Sequence, residues 1–144
     1  MIPTMKKILL LSVFCSLMHL AWGAVVEGKT YRLVSVGAKD KSLFIENSSL
    51  QNNANILLWT DMNVPSQQWE AVRNSDGSFA FKNVYSGKFL TRRGVLGKTS
   101  QLYQTTLSNF SSYKWKVEAV EGQAGQYQLV LQDGGQSYCI NTGS

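Results

Sequence analysis

Histidine is almost absent from the chain: His19 is the only one among 144 residues. Cysteine occurs twice, at Cys15 and Cys139, and proline twice, at Pro3 and Pro65. Each shortage excludes chemistry. Ser-His-Asp and Cys-His catalysis need an imidazole base. Zinc sites draw on histidine or on several cysteines. With one histidine and two cysteines, neither reading has its parts, and no metal or cofactor is expected. Paired carboxylates would be the remaining catalytic device. The nine acidic residues, however, mostly lie beside Lys, Gly or Ser in turn-like stretches and read as solvated surface.

A long apolar run is also lacking outside the first residues. Lys6 and Lys7 precede an apolar stretch from Ile8 to Met18, and Ala21-Trp22-Gly23 ends it in small residues ahead of Ala24. That order is the plan of an export signal, and the stretch is too short to span a bilayer comfortably. Residues 1–23 are therefore expected to be a removable leader, and the protein to be secreted, periplasmic or on the cell surface. His19 and Cys15 would leave with it. The remainder carries twelve basic against nine acidic residues, scattered along the chain. No basic stripe for nucleic acid is present.

What is there is a repeat. Tyr31, Phe79 and Tyr127 open three similar segments at equal intervals: Gly28-Lys-Thr-Tyr31-Arg-Leu33, Asp76-Gly-Ser-Phe79-Ala-Phe81 and Ala124-Gly-Gln-Tyr127-Gln-Leu129. A second landmark follows each, at Ser42-Leu-Phe-Ile, Lys88-Phe-Leu-Thr and Ser137-Tyr-Cys-Ile. A third occurs twice, at Asn55-Ile-Leu-Leu-Trp59 and Ser100-Gln-Leu-Tyr103. A fourth also occurs twice, at Gln67-Gln-Trp69-Glu-Ala-Val72 and Tyr113-Lys-Trp115-Lys-Val117. Four landmarks in constant order mark one structural unit repeated.

Each landmark alternates apolar and polar residues, as a half-buried strand does. Asn52-Asn53, Asn74-Ser-Asp-Gly77, Ser86-Gly87 and Asp133-Gly-Gly135 supply turns between them. Three copies of a four-strand unit predict an all-β fold, a β-trefoil: a pseudo-threefold barrel of short strands. The repeats run over about 28–75, 76–123 and 124–144, within one domain of residues 24–144. The third copy holds only its first two strands. By the pattern of the others, roughly two dozen more residues would complete it. The sequence is thus expected to be cut short, or to be the N-terminal piece of a longer protein.

These residues resemble the ricin B-type lectin repeat: a strand opening Gly-x-Tyr-x-Leu, then Ser/Lys-x-Leu, an apolar strand ending in an aromatic residue, and Gln-x-Trp. Gln67-Gln68-Trp69 copies the last motif in full, and Tyr113-Lys114-Trp115 keeps its tryptophan. The resemblance implies a non-catalytic module that binds glycan or polysaccharide. Its sugar pockets would combine an acidic residue after the second strand, a stacking aromatic ring, and nearby amides. Carried over, Trp59 and Tyr103 are the stacking rings, Gln101 an amide, and Gln67 the family glutamine. Gln67 serves equally as a bond to turn backbone beneath the barrel. The acidic position falls on Ile45, or on Glu46 with a slip of one, then on Thr91, and in the third copy on Ile140 or Asn141. No copy has the whole ligand set. Trp69 and Trp115 read as core residues closing the barrel, Cys139 as a small core residue, and Arg92-Arg93 as a solvated hairpin end. A trefoil used to bind protein is the alternative, as is an appendage of a secreted glycoside hydrolase whose catalytic domain lies downstream.

Overall fold

A computed structural model of the chain describes residues 6–10, 25–93, 101–106, 111–133 and 136–140. The expectations placed on Asn141 and on the leader after Leu10 lie outside these residues. The strands are β1 (Lys6–Leu10), β2 (Thr30–Ser35), β3 (Lys41–Ile45), β4 (Asn55–Thr60), β5 (Trp69–Arg73), β6 (Phe79–Asn83), β7 (Phe89–Arg93), β8 (Gln101–Thr105), β9 (Trp115–Ala119), β10 (Gln126–Asp133) and β11 (Gln136–Cys139). Helical structure among the described residues is confined to three-residue 3-10 turns, at Glu46–Ser48, Pro65–Gln67 and Ser111–Tyr113. The chain is all-β, as its alternation predicts.

The repeat sets the topology. β1 and the first and fourth strands of the copies form a closed ring that runs β1, β10, β9, β6, β5, β2 and back to β1. The hairpin β3–β4 hangs from β2, and β7 and β8 continue it as neighbours of β6 and β4. β11 pairs with β10 as β3 does with β2. This is the β-trefoil plan.

Alternation along the described strands turns apolar side chains inward. Tyr31, Leu33, Leu43, Ile45, Ile56, Trp69, Ala71, Phe81, Leu90, Trp115, Leu129, Leu131 and Ile140 meet in one core, drawn from all three copies. Burial of such side chains stabilises by roughly 1.5–3 kcal/mol each before entropy is counted. Trp69 and Trp115 have no more than 1% of their surface exposed, and each indole N–H donates to a main-chain carbonyl: Trp69 to Leu43 at 3.2 Å, Trp115 to Leu90 at 3.0 Å. The two tryptophans are core residues. Their shared bond also identifies Leu43 and Leu90 as equivalent positions.

The turns are built from the residues the sequence offers. Gly77 adopts φ of 85°, where a side chain would strain the backbone, and closes the β5–β6 hairpin with Asn74. Asn53 takes a left-handed φ of 66° between β3 and β4, a conformation asparagine tolerates.

One expectation is corrected here, that on Cys139. Lys6–Leu10, within the expected leader, form an extended strand paired with β2 and β10, and parallel to both. The parallel lateral pairing is available because β2 and β10 are the ring strands with edges not met by β5 or β9. Cys139 pairs with Val130, which puts it at the position of Ser42 and Phe89 and not among the core leucines. It is half-buried and is not a free thiol. Ile140, next along, is the residue that enters the core.

Candidate functional site

The β3–β4 hairpin has an inner and an outer face, because directly opposed residues of antiparallel strands point the same way. Leu43 faces Leu58 and Ile45 faces Ile56, on the core side. Ser42 faces Trp59 and Phe44 faces Leu57, on the outside. Trp59 leaves 51% of its surface exposed and Leu57 38%, which is unusual for large apolar side chains. Phe44 is half-buried, and its ring lies against that of Trp59, with centroids 6.5 Å apart and planes tilted by 30°. The indole is thus held in place yet open to solvent. An aromatic face in that condition suits the C–H face of a sugar ring.

Just beyond Trp59 stands a polar group that the sequence does not single out. Asp61 accepts a hydrogen bond from Arg32 Nη1 at 2.7 Å, and from the Ser42 hydroxyl at 3.4 Å. The two charged side chains are 8% and 17% exposed, so this carboxylate is paired and largely buried. Its backbone N–H donates to Asp40 O at 2.7 Å. Together these bonds anchor the end of β4, and with it Trp59. The usable signal would have been a charged residue at a strand end two positions past an exposed tryptophan, with Arg32 on the first strand to match it.

Gln67 is also placed differently from a sugar ligand. It is fully buried, its Nε2 donates to Thr60 O at 2.7 Å, and its Oε1 accepts from Met62 N at 2.9 Å. Both ends of the amide are consumed by the loop that carries Asp61. The residue holds that loop from beneath and offers no group to a ligand at the surface.

The acidic position is corrected as well. Ile45 is fully buried in the core, so no side chain there could reach a bound molecule. The outward residue is Phe44, opposite Leu57. The outer face of this hairpin thus presents two opposed apolar side chains. Glu46 is engaged elsewhere, accepting from Asn55 Nδ2 at 2.9 Å.

In the second copy Thr91 faces Tyr103 and Arg93 faces Gln101, with Leu90 opposite Gln104. Since Leu90 corresponds to Leu43, the counterpart of Tyr103 is Leu57, and that of Trp59 is Thr105. Trp59 and Tyr103, matched by type, thus stand two cross-strand pairs apart on the same face. Tyr103 is half-buried and also lies opposite Asn55 of β4. Gln101 is exposed at the start of β8. Arg92 is buried at 9% exposure and is not part of a solvated hairpin end. Trp59 and Phe44 are therefore brought together on one hairpin, Tyr103 and Gln101 on its neighbour, and Gln67 below the first.

The family now follows from comparison. The sequence model of the ricin-type β-trefoil lectin domain-like family matches residues 19–96 and again 65–144. The chain belongs to this family. None of the curated proteins matches it. Among solved structures, a designed three-fold symmetric protein, ThreeFoil, is 26% identical with a TM-score of 0.61, covering 67% of this chain and 69% of that one. A ricin B-like lectin of Macrolepiota procera, solved with lactose, is 16% identical with a TM-score of 0.61, over 73% and 69%. An exo-β-1,3-galactanase of Clostridium thermocellum is 25% identical with a TM-score of 0.55, over 70% of this chain but only 25% of that one. The fold thus recurs as a free-standing lectin and as a minor part of an enzyme chain. Among the described residues, no helix is long and apolar enough to cross a membrane.

Proposed function

We propose that this ricin-type domain is a non-catalytic carbohydrate-binding module that meets glycan on the outer face of the β3–β4 hairpin. The observation that carries the reading is Trp59: half exposed, braced by Phe44, and anchored at its strand end by the Asp61–Arg32 pair. Burying the indole against a sugar ring replaces water on an apolar surface that the fold otherwise leaves bare. Tyr103 and Gln101 form a second, weaker contact of the same kind on β8. Affinity per site is low, and several sites or chains raise it together. Export through the leader of residues 1–23 puts the module where polysaccharide is met. The galactanase neighbour supports a further reading, in which such a module accompanies a glycoside hydrolase domain.

Retention on immobilised polysaccharides or a glycan array, for the wild type and for Trp59→Ala, tests the proposal. The expected result is binding by the wild type and its loss in the variant, with folding unchanged by circular dichroism. A folded protein that binds no glycan sinks the reading. The apolar pair Phe44–Leu57 on the same outer face as Trp59 favours a second reading, a protein-binding face. Indifference of glycan retention to Trp59→Ala would turn the balance that way.

A further inference from the structure

The turn between β6 and β7 carries two large apolar side chains that the fold leaves bare. Val84 is 47% exposed and Tyr85 48%, side by side. The turn is fixed from beneath by hydrogen bonds. Asn83 is buried, its Oδ1 accepts from the backbone N–H groups of Tyr85 and Ser86, and its Nδ2 donates to Ser66 O at 3.0 Å. Val84 N donates to Gln68 O at 2.9 Å. Ser66 and Gln68 both belong to the segment of residues 61–68, which leads from the end of β4 to the start of β5. Gln67 ties that segment to the carbonyl of Thr60, the residue after Trp59. Only two hydrogen bonds and the peptide link from Gln67 to Gln68 therefore separate Thr60 from Val84. Met62, itself 51% exposed, lies on the segment between them.

We infer that Tyr85 is a second sugar-stacking platform, and that the ligand is the interior of a linear polysaccharide, laid from Trp59 across Met62 and Asn63 to Tyr85. The inference rests on the glycan reading of Trp59 and adds to it the class and length of the ligand. Three observations carry it. First, the exposed apolar groups are separated by amides, those of Asn63 and Gln68. A sugar chain offers C–H faces and hydroxyl edges in turn, and needs both kinds of surface. A face for protein would be a continuous apolar patch. Second, the amides are oriented. Gln68 Nε2 donates to Asn63 O at 3.1 Å and to Asn63 Oδ1 at 3.3 Å, which leaves Asn63 Nδ2 to donate and Gln68 Oε1 to accept. Third, the bonds that fix the segment come from buried groups below it, Gln67 to Thr60 O and Met62 N, and Asn83 to Ser66 O. The platforms are thus set before a ligand arrives, and little conformational freedom is lost on binding.

The test titrates the full chain, by calorimetry, with linear β-linked galactan, glucan and xylan and with the dimers to hexamers made from each. In the series that the wild type binds, affinity is expected to climb with chain length. Tyr85→Ala lowers the affinity for the hexamer roughly tenfold and leaves that for the dimer unchanged, whereas Trp59→Ala weakens every length. Tyr85→Phe keeps the ring and keeps the hexamer affinity. Nitration of Tyr85 in the wild type, located by mass spectrometry, reads the same contact without a variant: the hexamer protects the ring and the dimer does not. Affinity independent of length, equal losses for dimer and hexamer in Tyr85→Ala, or equal nitration with and without hexamer overturns the inference and leaves the Trp59 reading standing. A folded wild type that binds none of these glycans overturns both.

Discussion

Trp59 keeps half its surface in solvent while Gln67 keeps none, so truncating the two gives opposite signatures. Trp59→Ala loses one aromatic contact, with Phe44, and is expected to lower stability by about 0.5–1.5 kcal/mol while abolishing glycan retention. Gln67→Ala leaves Thr60 O and Met62 N without their partner in a buried setting, at a cost of about 1–3 kcal/mol for each group left bare. Urea melts of both variants, set beside retention on polysaccharide, check the contrast; a Gln67→Ala protein as stable as wild type would refute the assignment. Asp76 supplies a pH signature at the same scale. Its carboxyl is held below the ordinary 3.8, first by the Ser78 hydroxyl, then by the Ser78 N–H, with the Lys114 charge assisting against a small burial cost. A lowered folded-state value means that the folded chain binds this proton less readily than the unfolded one. The contribution is full above the unfolded value and fades as pH falls below about 3.8. Asp76→Asn is expected to flatten the acid limb of a plot of Tm against pH, leaving the neutral region nearly unchanged.

Hairpins and closing strands are the elements in which sequence and structure agree best and also part company. The strands were legible because alternation at Tyr31–Ser35 and Tyr127–Leu131 reports burial directly, and because Gly77 and Asn53 mark turns that need left-handed backbone. The Gln-x-Trp landmark was legible too, since an aromatic in an apolar strand belongs to the core. Register was not. The segment between β3 and β4 is longer than that between β7 and β8, so like residues in the two copies do not share a cross-strand partner. Trp59 and Tyr103 look equivalent by type and are not by position. Nor can alternation report which core-facing residue accepts an indole N–H, or that Arg32 reaches Asp61 across two strands. The indole bonds give the prediction at this scale. Trp69→Phe and Trp115→Phe each remove a buried N–H and leave Leu43 O or Leu90 O unpaired, costing about 1–3 kcal/mol apiece with the fold retained. Chemical denaturation measures it; a cost confined to one of the two would break the equivalence of the copies.

Over the whole molecule the pseudo-threefold ring distributes order unevenly. β6 lies between β5 and β9 and is antiparallel to both, with Trp69 and Trp115 on its two sides. β2 shares only Thr30 and Tyr31 with β5 and relies for its other edge on parallel β1. The threefold plan was visible in the equal spacing of Tyr31, Phe79 and Tyr127, but the occupant of the third closing position was not. A leader and a strand are both apolar, and composition alone does not separate them. The consequence is a gradient of local stability, because segments open independently with free energies set by their own contacts. Native-state amide exchange is expected to be slowest in β5 and β6, with Ala80 and Phe81 near the global limit, and faster in β2 from Leu33 to Ser35 and in β10 where it meets β1. The parallel strand, being the weaker pairing, is the first to release its neighbours. If Leu33 and Phe81 exchange at the same rate, the ring is as tight beside β1 as elsewhere, and Lys6–Leu10 would have to be counted a permanent strand of the barrel.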